Sequence, residues 1–120
     1  MTAETIADLI VGYRYVIGNE SSFQDGLSSI LEINRIVHVR EHNLGRSFGR
    51  IDFYLPDDGI GIELKVKGSP TEVVRQLHRY AQCPEIRALI LVTGRSRLSP
   101  NTTHLNGKPL ITAPVWQGQL

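Results

Sequence analysis

The chain has 120 residues and a single cysteine, Cys83. One thiol rules out an internal disulfide and any multi-cysteine zinc site, and it fits a reducing cytosol. No apolar run reaches the length needed to cross a bilayer. The segment TAETIADLIVGYRYVIG places Glu4 and Asp8 where a secretory leader carries lysine or arginine, so a leader is not expected. Internal repeats and low-complexity tracts are absent. His38, His42, His78 and His104 lack metal-ligand spacing, and no His-Asn-His arrangement occurs. Gly59-Ile60-Gly61 is too short for a dinucleotide fingerprint. The expectation is one cytoplasmic domain that does not engage a membrane, its 41% apolar residues sufficient for one core.

Charge is present but unevenly spread. The formal net charge is +1. Up to residue 32, Arg14 faces Glu4, Asp8, Glu20, Asp25 and Glu32; the other twelve basic residues follow against seven acids. A basic second part permits a nucleic-acid partner without demanding one, since a solvated surface looks the same.

Hydrophobic spacing supplies the elements. Ile6, Leu9, Ile10, Tyr13 and Ile17 predict an amphipathic helix over 3–16. A second helix runs over about 20–32, with Phe23, Leu27, Ile30 and Leu31 on one stripe; either Asn19 or Ser21 caps it, the latter with Gln24 in a capping box. INRIVHVRE (33–41) reads as the first strand and GRIDFYL (49–55) as the second. Pro56-Asp57-Asp58-Gly59 turns the chain into GIGIELKVK (59–67), the third. Ser69-Pro70-Thr71-Glu72 opens a helix whose buried stripe is Val73, Val74, Leu77 and Tyr80. RALILVTG (87–94) is apolar throughout, as a strand covered on both faces must be. A polar loop follows, and PLITAPVW offers a last short strand. The order predicts an α/β domain: a mixed central sheet with helices on both faces, and a crossover helix between parallel strands. Its parts are an N-terminal helical extension (1–18), a core (20–93) and a loop with the last strand (94–120).

The chemistry concentrates in RIDFYLPDDGIGIELKVKG (50–68). Ile60, Ile62, Leu64 and Val66 share one strand face, leaving Glu63 and Lys65 on the other with Asp52 on the neighbouring strand. Two carboxylates from adjacent strands make an oxygen-rich site suited to Mg²⁺ or Mn²⁺. A lysine beside them can orient a water and offset negative charge developing on a phosphoryl group. The same letters also read as an ion pair guarding an edge strand. Against that stand the crossover helix, which makes the strand central, and an apolar face that is complete without Glu63 and Lys65.

Asp52, ten intervening residues and Glu63-Leu64-Lys65 resemble the signature of the PD-(D/E)xK nuclease superfamily, which includes restriction endonucleases, Holliday-junction resolvases and RecB-type nucleases. Ile51 stands where the family name has proline. The superfamily's αβββαβ core parallels the order read from residue 20 to about 93, so the resemblance implies a restriction-endonuclease-like fold with an extra N-terminal helix. It further implies Asp52 and Glu63 as metal ligands, the Leu64 backbone carbonyl completing the site, and Lys65 positioning the attacking water. Gln76-Leu77-His78-Arg79-Tyr80 is similar to the glutamine-and-tyrosine element of RecB-type members. There Gln76 reaches toward the scissile phosphate with Tyr80 in support; as plain structure, Tyr80 is core and Gln76 its flank. Many members carry a glutamate on the helix before the first strand, a place filled here by Glu20, with Glu32 and Glu41 as substitutes.

Arg46, Arg50, Lys67, Arg95 and Arg97 are candidate phosphate contacts. The implied activity is Mg²⁺- or Mn²⁺-dependent hydrolysis of DNA leaving a 5′-phosphate, with branched or duplex DNA as substrate and RNA open. A homodimer would suit a resolvase, whose two symmetric cuts need two related sites. So small a single-domain chain also suits a phage or mobile-element protein. The rival expectation is a nuclease-like module that grips nucleic acid or protein without cutting.

Overall fold

A computed structural model describes residues 1–117. Helix α1 (Ala3–Val11) begins where the Thr2 side chain accepts the Thr5 amide, and it buries Ala3, Ile6, Ala7 and Ile10. It stops five residues short of the expected end. Gly12 closes the last turn, and Arg14–Tyr15 form strand β1. Tyr13-Arg14-Tyr15-Val16-Ile17 is rich in aromatic and β-branched residues, which prefer extended backbone once a glycine has interrupted the helix. Tyr15 is buried there, its hydroxyl donating to the Ile10 carbonyl at 2.8 Å.

Helix α2 (Glu20–Ile33) is capped by Asn19, whose side chain accepts the Ser22 amide at 2.8 Å. Asn19 is therefore the cap rather than Ser21, and Glu20 lies inside the first turn. The expected strand over 33–41 starts later, because α2 keeps Ile33 and Arg35 turns left-handed (φ 57°). Strand β2 is Val39–Asn43, β3 is Arg50–Leu55 and β4 is Ile60–Lys65. Ser69 and Pro70 open α3 (Pro70–Ala81) as the sequence indicates. Then come β5 (Ala88–Thr93), a 3₁₀ turn at Ser96–Leu98, β6 (His104–Leu105), β7 (Lys108–Pro114) and β8 (Trp116–Gln117).

The main sheet has six strands in the order β2-β3-β4-β5-β7-β6. The β2-β3-β4 meander is antiparallel, and β4, β5 and β7 run parallel. Strands β1 and β8 pair separately, in parallel. Helices α1 and α2 cover one face through Ile6, Ile10, Phe23, Leu27 and Leu31. Helix α3 covers the other through Val73, Leu77 and Tyr80. Every residue of β5 is buried, the consequence of apolar layers on both sides. Among the described residues no helix is long and apolar enough to cross a membrane.

Strand β4 approaches its neighbours closely at Gly61. A Cβ there would lie 2.6 Å from Ile51 Cδ1 and 2.9 Å from Ile86 Cδ1. Gly61→Ala overpacks this layer and is expected to lower unfolding free energy by about 1–3 kcal/mol. Chemical denaturation checks it, and an unchanged midpoint would show that the layer can yield.

Candidate active site

The site begins where the sheet stops being regular. In β2, Arg40 pairs with Phe53 and His42 with Ile51, but the intervening Glu41–Asp52 pair is missing. Glu41 has φ 52°, a left-handed backbone that is costly for a side chain of its size. On the other side, the β3–β4 pairing runs no further than Phe53–Ile62. Asp52 thus sits at a break on both sides. Facing also changes there: Ile51 packs in the core under α3, whereas Phe53 and Leu55 pack under α1 and α2. Two residues apart on a regular strand would share a face.

Side chains replace the lost ladder. Asp52 Oδ2 accepts the Leu64 amide at 2.9 Å, and Glu63 Oε1 accepts the Asp52 amide at 3.2 Å. Each carboxylate reaches the other strand's backbone. Asp52 Oδ1 accepts from Gln24 Nε2 at 3.2 Å, and Gln24 Oε1 accepts from Arg40 at 3.3 Å. Glu63 Oε2 lies 3.3 Å from Lys65 Nζ. Asp52 is 7% exposed and Glu63 3%. Among the described residues no buried side-chain polar atom lacks a hydrogen-bond partner.

Burial and crowding raise both acids. Asp52 is pushed up to about 6, chiefly by burial, against the Leu64 hydrogen bond, with the charges of Glu20 and Glu41 adding to the rise. Glu63 is pushed up to about 8, again chiefly by burial and then by Asp52, with Lys65 pulling the other way. Burial also raises Tyr80, and Glu63 and Asp52 push in the same direction, so it stays a neutral hydroxyl. That hydroxyl donates to the Arg50 carbonyl and accepts from Gln76 Nε2, both at 2.8 Å.

Two clefts open on either side. One, of about 530 Å³, is lined by Asp52, Glu20, Glu41, Gln24, Ser21 and Arg40. The other, of about 270 Å³, holds Lys65, Lys67, Arg75 and Arg79 with Gln76 and Glu72. A third, of about 420 Å³, joins Glu20 to Leu64, Lys65 and Lys67. Compared with known protein families, curated proteins and solved structures, the chain matches none. Its chemistry rests on these residues alone.

Lys65 lies against Glu63, and Asp52 and Glu63 are linked through backbone amides. Glu63 lines none of these clefts, however, and Asp52 opens to a different one from Lys65. Gln76 and Lys67 line the cation-rich cleft beside Lys65. Glu20 is exposed on the rim shared with Asp52, whereas Glu32 lines none of these clefts. Leu64 meets Asp52 through its amide, while its side chain fills the core under α2. Arg50 is exposed and lies 3.8 Å from Glu41. Arg97 donates to the Gly68 carbonyl at 3.0 Å. Arg46 and Arg95 are exposed and line none of these three clefts.

Sequence reasoning gave Gln24 only a capping role beside Ser21, which Asn19 takes instead, and passed over Arg75 and Arg79 as site residues. Gln24 is 7% exposed on the core-facing side of α2, one residue from Phe23 and three from Leu27. A polar residue inside a buried stripe needs a polar partner, and that was its signal. Arg75 and Arg79 are four apart on α3 and so share a flank with Gln76.

The donor set fits a hard divalent cation. Asp52 and Glu63 are the residues that could hold such an ion, exchanging their protons for it. Among the described residues no group of three or more His, Cys, Asp or Glu side chains forms that could hold a metal ion.

Proposed function

We propose that the chain is a metal-dependent nuclease of the PD-(D/E)xK type, with a restriction-endonuclease-like core, that hydrolyses DNA phosphodiesters. One observation carries the reading: Asp52 and Glu63 cross onto each other's strand at a break in the sheet, with Lys65 against Glu63. Asp52 and Glu63 would hold Mg²⁺ or Mn²⁺, with Glu20 on the rim. The ion, when bound, polarises a phosphoryl oxygen and acidifies a water.

The chain's own residues do the rest. Lys65 orients the attacking water by hydrogen bonding and offsets charge building on the phosphate. Lys67, Arg75 and Arg79 hold flanking phosphates beside it. Gln76, tethered by Tyr80, presents its amide to the same cleft. Gln24 orients Asp52, and its own orientation is set by Arg40. A homodimer acting on branched DNA, with two such sites, belongs to this reading. Phage origin and a cytoplasmic setting accompany it.

The basic cleft supports a second reading, a module that grips nucleic acid without cutting. Incubation with plasmid, single-stranded and four-way-junction DNA separates the two, with Mg²⁺, with Mn²⁺ and with chelator, beside Lys65→Ala. The nuclease reading expects cutting that needs the ion and falls by about a hundredfold or more in the variant. Binding without cutting in every arm supports the module instead.

A further inference from the structure

The largest surface groove of those described, about 780 Å³, lies away from the acid pair, between the outer face of α3 and the segment around the 3₁₀ turn. Val74, Arg75 and His78 line it from the helix; Arg97, Pro100 and Asn101 line it from the loop. Among the described residues no acidic side chain lines it. It is a broad groove open to solvent rather than an enclosed cavity.

Its lining is of two kinds. Two guanidinium groups supply fixed positive charge on opposite walls. Val74 and Pro100 add apolar surface, and the exposed His78 ring offers a plane for stacking. A duplex shows a protein its phosphates and hides its base faces, so an apolar floor gives it nothing. A single strand presents phosphates and unstacked bases together, and bases stack on imidazole and guanidinium planes. The groove is also joined to the cation-rich cleft. Arg75 lines both, and Arg97 holds the carbonyl of Gly68, which lines the cleft.

We propose that this groove between α3 and the 97–101 segment binds single-stranded nucleic acid. The shared residues mark out a path for the strand, along Lys65, Lys67 and Arg75 to Arg97 and Asn101. This deepens the nuclease reading, giving it a substrate with an unpaired segment, but the binding itself needs no cutting.

The test is therefore made in chelator. Fluorescence anisotropy measures binding of an oligothymidylate and an oligouridylate of about twelve nucleotides, and of a duplex of the same length. The variants are His78→Ala, Val74→Ser and Pro100→Ser, all away from the acid pair, which remove stacking or apolar surface without adding charge. Thermal melts confirm that each is folded, and any that is not gives way to the other two. A loss of about tenfold on at least one single-stranded oligomer is expected, against less than about twofold on duplex. The two oligomers distinguish DNA from RNA. Unchanged single-strand affinity, or equal losses on duplex, overturns the proposal. Failure to cut any substrate would remove the nuclease reading while leaving this result standing, and cutting with groove-independent binding would do the reverse.

Discussion

Glu63→Gln is expected to impair cutting severely and to stabilise the metal-free protein at alkaline pH. The two effects have one cause. Glu63 is 3% exposed, shares its surroundings with Asp52, and holds its proton to about pH 8. In the metal-free chain above that pH, two buried carboxylates repel each other, and Lys65, with 23% of its side chain exposed, compensates only in part. Glutamine keeps the shape and an oxygen for the Asp52 amide while removing the charge. The same change removes the negative charge that would hold the cation, so cleavage should fall on the order of a hundred- to a thousandfold. A residue serving only the fold would behave oppositely, since loss of its ion pair would lower stability. Melting temperature in chelator at about pH 9 and cleavage in Mg²⁺ are the two readings. Unimpaired cutting would sink the assignment, and a lower melting temperature would make Glu63 a structural acceptor.

In chelator the parent should be more stable near pH 5 than near pH 9, a trend opposite to that of a domain held by exposed ion pairs. The folded pKa values of Asp52 and Glu63, about 6 and about 8, lie above their ordinary values near 4. The folded state therefore binds protons more tightly than the unfolded chain. That contribution is complete below the unfolded values and is lost as pH rises through 6 and then 8. The loss across this window is on the order of a few kcal/mol for the pair, several degrees or more in melting temperature. Saturating Mg²⁺ should flatten the dependence, because the ion binds the ionised form. Glu63→Gln should remove the part centred near pH 8. A flat profile in chelator would mean that the two acids are solvated rather than buried together.

Much of the frame is local in origin. Pro-Asp-Asp-Gly turns the chain because Gly59 accepts a φ of 67°, and Ser69-Pro70 starts α3 by satisfying and pre-setting its first turn. Alternation placed Ile60, Ile62 and Leu64 on one face, and the unbroken apolar run placed β5 inside. These signals lie within a few residues of what they specify, so a linear reading finds them. The early end of α1 was less legible, because Tyr15 owes its place to contact with Phe23 and the Ile10 carbonyl.

Residue types alone proposed that Asp52, Glu63 and Lys65 belong together, since an acid pair and an amine on neighbouring strands have few inexpensive uses. The manner of their meeting came from elsewhere. Strand pairing at Arg40 and His42, a left-handed Glu41, and the divergence of β3 from β4 jointly turn Asp52 toward the Leu64 amide. The partnership of Gln24 with Asp52 spans 28 positions, and the basic cleft gathers β4 and α3. Such arrangements arise when distant segments share one core, because packing and desolvation act on proximity in space, which spacing along the chain does not encode.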